Sequence, residues 1–150
     1  PKPQRIVEKD AIKALVGAGV VTVCVGGGGV PVIKTADDEL EGVEAVIDKD
    51  FSANILAKEI NADRLIILTG VDNIYINYNQ PNQEKLGTIT VAQAEQYIGE
   101  NHFAPGSMLP KIEAALDFVR GSARRETVIT SIDNLINIGS GAGTRIVDAN

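Results

Sequence analysis

The spacing of apolar and polar residues divides the chain into predicted strands and helices that follow one another in turn. Short apolar runs rich in β-branched residues predict buried strands at residues 20–25, 65–68 and 127–130. Apolar residues at helical spacing predict helices at residues 6–16, 51–60, 90–98 and 107–119. Weaker signals predict a strand at 74–76, a short helix at 132–138, and a last strand, a candidate for the sheet edge, at 144–147.

This alternation predicts an α/β fold, a three-layer α/β/α sandwich whose mostly parallel sheet is covered by helices on both faces. Ligands of such sheets bind beyond the carboxyl ends of the strands. We therefore expect the loops after Val25, Leu68 and Thr130 to share one edge of the sheet. At 150 residues the chain is one domain's worth of sequence.

Charge and cysteine content limit the kinds of ligand and partner that the chain is expected to bind. The formal net charge of −6 argues against binding to nucleic acid, which requires clustered Lys and Arg. No apolar run approaches the roughly 18 residues that span a bilayer, and no leader pattern opens the sequence, so a cytoplasmic location is expected. The single cysteine, Cys24, excludes an internal disulfide and a cysteine metal cluster, and we predict no protein metal site.

Lys49 is the first candidate for chemistry, because an acidic chain that binds phosphate must concentrate its few positive charges locally. It stands between Asp48 and Asp50, directly before the apolar helical pattern at 51–60. Phosphoryl transfer needs positive charge near the oxygens that gain negative charge. The residues alone also allow a plainer interpretation, in which the aspartates cap the helix and Lys49 points to water.

Lys111 is the second candidate and follows Pro110, near the start of the predicted helix at 107–119. The amides at a helix N-terminus point at whatever precedes them and favour an anion there. Alternatively, Ser107 is an N-cap and Lys111 is a surface residue of the first turn. A cation at that end is mildly unfavourable for the helix dipole, which favours the functional interpretation.

Four consecutive glycines, Gly26, Gly27, Gly28 and Gly29, form a loop that can approach a ligand closely and adopt positive φ at little steric cost. No Gly-Lys-Ser/Thr follows, so the loop is not a P-loop. Because Pro31 intervenes before any helix, it is not a Rossmann fingerprint either. From the residues alone, its signal for chemistry is weak.

Three strings carry a resemblance to a known family: AVIDKDF at 45–51, ILTGVDNIYINYNQP at 67–81 and FAPGSMLPK at 103–111. Together they resemble the carbamate kinases, which are members of the amino acid kinase family. The similarity extends over essentially all 150 residues. It implies an amino acid kinase-like fold.

The resemblance also implies roles for individual residues. It places Lys49 near the transferring phosphoryl group, with Asp50 orienting the catalytic lysines. The glycine loop falls near the small substrate and the phosphoryl group, and Lys111 near the terminal phosphates of the nucleotide. The remaining nucleotide contacts are implied at Thr69, Asp72, Tyr75, Ser107 and Met108.

Two features leave alternatives open. Many amino acid kinases have an acidic residue after the threonine of the nucleotide-contacting turn, and this chain has Gly70 there, so Thr69 and Asp72 remain the candidates. Asp72 is equally explained as a turn residue bonded to its own backbone. His102, the only histidine, is interpreted as a loop or capping residue.

The implied reaction is ATP plus carbamate to and from ADP plus carbamoyl phosphate with Mg²⁺, running toward ATP in arginine breakdown, in a homodimer. Carbamate kinases are about twice as long, and the glycine-rich turn and further lysine of their first half have no counterpart here. We therefore expect residues 1–150 to be the C-terminal nucleotide-binding portion, inactive alone. The alternatives are a non-catalytic nucleotide-binding fragment and a related amino acid kinase with another acyl substrate.

Overall fold

The computed structural model of the protein describes residues 1–149 and forms two compact units, Pro1–Asn61 and Ala62–Asn150. The first unit contains two helices, α1 (Lys9–Gly17) and α2 (Lys49–Glu59), which contact each other. Between them in the chain lie two short strands, β1 (Val32–Lys34) and β2 (Leu40–Gly42), which pair antiparallel as an exposed hairpin.

The strand predicted at residues 20–25 is wrong. The chain there has no regular structure, and Val21 and Val23 are 94% and 99% exposed. A strand is stabilised by pairing and packing against neighbours. Within the described part of the first unit, the only strand pairing is that between β1 and β2, so this β-prone sequence has no ladder to join.

The second unit is built on a mixed sheet that contains four strands within its described residues. Their order across the sheet is β3 (Arg64–Thr69), β7 (Glu126–Ser131), β8 (Thr144–Val147) and β6 (Thr88–Thr90). β3 pairs parallel with β7 and β6 pairs parallel with β8, whereas β7 and β8 are antiparallel. β8 therefore lies inside the sheet and not at its edge. A separate antiparallel pair joins β4 (Tyr75–Ile76) to β5 (Glu84–Lys85).

Two helices, α3 (Val91–Gly99) and α4 (Met108–Val119), pack against each other and against this sheet. α3 begins with a capping box, in which Thr90 and Gln93 exchange side-chain and backbone hydrogen bonds. The core comprises apolar residues of α4 and of the central strands, including the fully buried Ile112, Phe118, Val119, Val128, Ile129 and Ile146. A 3₁₀ helix, Leu135–Ser140, precedes β8.

Most predicted elements of the second unit are confirmed, as is the α/β class with a mostly parallel sheet. The strand at 65–68 is buried on one face only: Leu65 and Ile67 are buried, whereas Ile66 and Leu68 are 41% and 37% exposed. β3 is an edge strand of this sheet, and its Ile66 and Leu68 face has no covering layer within the described unit. Because Thr69 pairs with Ser131, the loops after β3 and β7 do share one sheet edge.

Candidate functional site

The turn after β3 is fastened to the end of β7 by two hydroxyl groups. Thr130 Oγ1 donates to the carbonyl oxygen of Asp72 at 3.1 Å, and Ser131 Oγ donates to the Asp72 carboxylate. Both hydroxyls lie on the strand that neighbours β3 in the sheet. The Asp72 carboxylate therefore stabilises the turn that connects β3 to β4, beyond the carboxyl ends of two parallel strands.

A cleft of about 500 Å³ opens beside this turn. One wall follows the chain from the end of β3 through β4, and the other is the segment between α3 and the start of α4. A volume of this size suits a small organic ligand. The lining residues are Thr69, Gly70, Val71, Asn73, Tyr75, Asn77, Tyr78, Gln80, Asn101, His102, Phe103, Ala104, Ser107 and Met108.

Aromatic side chains and a buried threonine shape the first wall. The rings of Tyr75 and Tyr78 lie 5.9 Å apart at an angle of 43°. Ile74, just before Tyr75, is fully buried, and its amide donates to Thr144 Oγ1 at 2.8 Å. Thr144 Oγ1 in turn donates to the Leu86 carbonyl oxygen at 2.6 Å. The buried hydroxyl of Thr144 thus fixes the chain just before β4, which carries Tyr75.

His102 enters the second wall through the end of α3. Asn101 has a left-handed backbone (φ 60°), with its amide bonded to the Ile98 carbonyl, while the His102 amide bonds to the Tyr97 carbonyl. This pair of bonds is a Schellman motif, which reverses the chain after a helix. It turns the imidazole of His102 toward the cleft, where Nδ1 accepts a hydrogen bond from the Asn77 amide at 3.4 Å.

The other imidazole nitrogen faces a carboxylate. His102 Nε2 lies 3.0 Å from Glu100 Oε2. A hydrogen bond from Gln96 lowers the pKa of Glu100, and the contact with His102 lowers it further. Since Nδ1 accepts from Asn77, the neutral ring carries its proton on Nε2 and donates it to Glu100.

The start of α4 closes the cleft. The amides of Ser107, Met108 and Leu109 all lie within 3.0 to 3.2 Å of the Ala104 carbonyl oxygen. The first amides of the helix are therefore already hydrogen-bonded within the loop, and in the described structure Ser107 makes no side-chain cap. Lys111 lies in the first turn and is half-buried.

The first unit carries the other predicted site. Asp48 is the N-cap of α2 and accepts a 2.7 Å hydrogen bond from the Asp50 amide, as predicted for one of the two aspartates. Lys49, the first helical residue, is exposed, whereas Asp50 is buried. One turn further, the buried Ser52 Oγ donates to the Gly28 carbonyl oxygen at 2.7 Å. The glycine loop is thereby fixed against the helix that begins at Lys49.

Gly28 is the glycine that this arrangement requires. Its φ is +90°, and a Cβ atom built there would lie 2.0 Å from the Ile47 carbonyl oxygen. Gly29 also has a positive φ, +92°, but its Cβ position is open. The loop therefore approaches the chain just before α2 at one glycine and faces open space at the next.

The structure brings together part of the predicted set. Four of the predicted nucleotide-binding residues line the cleft: Thr69, Tyr75, Ser107 and Met108. Asp72 and Lys111 lie on the segments that form the cleft but are not among its lining residues. Lys49 and Asp50 share the first unit with the glycine loop. Phe103 and Ala104 belong to the string at 103–111 that carries the resemblance, whereas Asn101 and His102 were missed as site residues; their signal was the αL-prone Asn101 at the end of the α3 pattern.

Within residues 1–149, no group of three or more His, Cys, Asp or Glu side chains is arranged to hold a metal ion. No helix in this range has the length and apolar character needed to cross a membrane. Mg²⁺ in phosphoryl transfer is typically bound by one or two carboxylates together with the substrate phosphates. A protein cage is therefore not required for that ion.

A cleft beyond the carboxyl ends of two parallel strands, closed by the start of a helix, is typical of small-ligand sites in α/β proteins. A sequence model described as the amino acid kinase family matches residues 1–131. The chain belongs to that family.

Individual relatives are carbamate kinases. Over 146 residues, the chain is 65% identical to carbamate kinase 2 of Enterococcus faecalis, covering 97% of this chain and 46% of that protein. It is 54% identical to the carbamate kinase of Lentilactobacillus hilgardii, covering 94% of this chain and 45% of that protein. The chain thus spans about half the length of these relatives. The predicted resemblance to carbamate kinases is confirmed.

A solved carbamate kinase from Giardia lamblia, bound to AMP-PNP, superimposes with a TM-score of 0.94 at 39% identity, covering 99% of this chain and 52% of that chain. This agreement confirms the predicted amino acid kinase-like α/β fold.

Proposed function

We propose that the chain is the nucleotide-binding half of a carbamate kinase, which interconverts ATP plus carbamate with ADP plus carbamoyl phosphate. The observation that carries this proposal is its 65% identity to a carbamate kinase over 97% of the chain. The related Giardia lamblia enzyme is described with AMP-PNP, an ATP analogue, which supports ATP and ADP as ligands.

In this proposal the nucleotide occupies the cleft of the second unit. Thr69, Tyr75, Ser107 and Met108, which line it, contact the nucleoside, and the Lys111 ammonium binds the terminal phosphates. Asp72 contributes by holding the turn after β3 through its bond with the Ser131 hydroxyl. Mg²⁺ bound with the nucleotide would neutralise part of the charge of its phosphates.

Phosphoryl transfer is assigned to the first unit. In the ATP-forming direction, the bond between phosphorus and the carbamoyl oxygen breaks as a bond forms to the terminal oxygen of ADP. The exposed Lys49 ammonium stabilises the charge on the transferring group, and Asp50 orients the lysine side chains. Gly26, Gly27, Gly28 and Gly29 let the backbone approach the small substrate, with Gly28 fixed by Ser52.

The finer context belongs to the same proposal. The reaction runs toward ATP in arginine catabolism, in the cytoplasm, as a homodimer of the complete enzyme. A related amino acid kinase with another acyl substrate is the nearest rival within the family. The 65% identity to a carbamate kinase favours carbamate.

A second candidate is a non-catalytic nucleotide-binding fragment. Two observations favour it for the isolated chain: the match covers 46% of the most similar relative cited above, and Val21 and Val23 are almost fully exposed. A chain without the rest of the relatives' length lacks the surfaces that enclose two substrates, so we expect it to bind ADP and not to turn over alone.

The test is to measure the intact mass of the purified protein and, on the same sample, coupled ATP formation from ADP and carbamoyl phosphate. ATP formation by a longer chain, or by this chain with a second polypeptide, would establish the kinase. A single 15.9 kDa species that binds ADP without forming ATP would support the binding fragment. If the purified protein did not bind ADP, both the kinase proposal and the binding-fragment proposal would be rejected.

A further inference from the structure

His102 joins the two walls of the cleft. The first wall ends in a compact loop, in which Asn77 has a left-handed backbone (φ 51°), its carbonyl accepts from the Gln80 amide at 3.0 Å, and its side chain donates to the Asn82 carbonyl oxygen. The second wall follows α3. The hydrogen bond from the Asn77 amide to His102 Nδ1 connects these walls, although the residues lie 25 positions apart.

The imidazole is itself held from three sides. The Schellman motif at Asn101 sets its backbone, Tyr97 packs edge-on with ring centroids 5.8 Å apart, and Glu100 lies 3.0 Å from Nε2. The side chain of His102 is 17% exposed. A 180° flip of this ring would put carbon atoms where Nδ1 and Nε2 now lie, and would lose the contacts with both Asn77 and Glu100.

Only one protonation state satisfies this geometry. The Asn77 amide is a donor, so Nδ1 must present a lone pair, and the single proton of the neutral ring is on Nε2 toward Glu100. A second proton on Nδ1 would point at the N–H of Asn77 and remove the acceptor. Glu100 stays ionised over the range in which imidazoles titrate, so its contact with Nε2 survives while the contact with Asn77 does not.

We propose that His102 is a positioning residue: in its neutral form it fastens Asn77 to the opposite wall of the cleft, and its protonation releases that wall and weakens ligand binding. The titratable groups placed around the ring in the described structure are Glu100 and Tyr97 on the side of α3, and Tyr75 and Tyr78 across the cleft. As the ligand is taken to be a nucleotide, this part rests on the proposed function.

The experiment follows the free 150-residue chain by NMR across the pH range and measures Mg²⁺·AMP-PNP affinity by calorimetry on the same samples. The exchange rate of the Asn77 amide should rise as the His102 ring becomes protonated. The Kd for AMP-PNP should increase between about two- and tenfold over the same interval, the effect of one hydrogen bond.

Two variants separate positioning from packing. His102→Gln keeps an acceptor that does not titrate, so its Kd should be independent of pH in this range. His102→Phe keeps a ring against Tyr97 without an acceptor, so it should bind weakly at every pH. In Glu100→Gln, the midpoint pH at which the AMP-PNP affinity changes should shift by the same amount as the midpoint of the ring titration measured by NMR.

The outcomes are distinct. The inference would be overturned if the exchange rate of the Asn77 amide did not change as the His102 ring titrates. It would also be overturned if His102→Gln showed the same pH dependence of AMP-PNP affinity as the wild-type chain. An Asn77 response without AMP-PNP binding at any pH would support the fastening and reject the nucleotide as the ligand of the cleft.

Discussion

The hydroxyl of Ser52 donates a 2.7 Å hydrogen bond to the carbonyl oxygen of Gly28, 24 residues earlier in the chain, and both groups are buried. This bond attaches the glycine loop to the first turns of α2. Because α2 begins at Lys49, the loop and the lysine are held by one rigid element. The four-glycine segment is thus positioned at Gly28.

Substitution of Gly28 should be far more harmful than substitution of Gly29. Both have φ near +90°, so alanine at either should cost about 1 to 2 kcal/mol of backbone strain. At Gly28 the new Cβ would also meet the Ile47 carbonyl oxygen at 2.0 Å, which forces the backbone apart. We expect Gly28→Ala to lower the free energy of unfolding by about 3 kcal/mol or more.

Urea unfolding of the two single variants measures this difference, with Gly29→Ala as the matched control. A tryptic cleavage assay of the same proteins reports whether the loop has detached from α2. Equal unfolding free energies for the two variants would show that the contact between Gly28 and Ile47 does not constrain the loop.

Thr144 should matter through its hydroxyl group and not through its shape. Its Oγ1 accepts from the buried Ile74 amide and donates to the Leu86 carbonyl oxygen, and Thr144 is fully buried. Thr144→Val keeps the volume but leaves the Ile74 amide without its acceptor, which should cost about 2 to 3 kcal/mol. Thr144→Ser keeps the hydroxyl and loses one methyl group, which should cost about 1 kcal/mol.

Differential scanning calorimetry and urea titration compare these two variants. Because Ile74 precedes Tyr75, the valine variant should also show faster hydrogen exchange along β4. If serine proved as destabilising as valine, packing and not hydrogen bonding would be the dominant role of Thr144.

Lys49→Ala should chiefly lower kcat, because an ammonium that stabilises the transferring phosphoryl group acts in the transition state. In a preparation that forms ATP, we expect a loss of about 100-fold or more in kcat with a smaller change in KM for ADP. Lys13→Ala removes an exposed lysine from α1 and is the charge-matched control. Near-unchanged turnover in Lys49→Ala would reject the role assigned to this residue.

Local signals predicted the elements whose ends are set by neighbouring residues. The helix predicted at 90–98 forms, and the structure closes its start with a capping box between Thr90 and Gln93, three positions apart. Asp48, directly before an apolar helical pattern, is the observed N-cap of α2. Each feature depends on contacts within a few residues, which the spacing of the sequence contains.

Non-local contacts account for what the sequence did not predict. The bond between His102 and Asn77 depends on how α3 ends and where β4 lies, so a lone histidine in a loop gave no indication of it. Residues 20–25 have high β propensity, but propensity alone does not form a strand without a partner. The burial of β3 on one face likewise depends on which layers cover it.

The exposed valines at 20–25 predict self-association of the isolated chain. Val21 and Val23 are 94% and 99% exposed, and exposed apolar side chains clustered in one segment favour association between molecules. Val21→Asp combined with Val23→Asp should reduce association at a cost to stability below about 0.5 kcal/mol, because neither side chain contributes to a core. Gln4→Asp with Ala36→Asp adds the same charge at exposed positions elsewhere.

Sedimentation velocity over a range of protein concentrations distinguishes the two double variants. The valine variant should sediment as a 15.9 kDa monomer at concentrations where the wild-type chain and the charge control both form larger species. This result would assign the association to the apolar segment, since added negative charge alone is present in the control. If both double variants sedimented as monomers, the reduced association would be an effect of net charge. If the wild-type chain itself were monomeric, residues 20–25 would not mediate self-association.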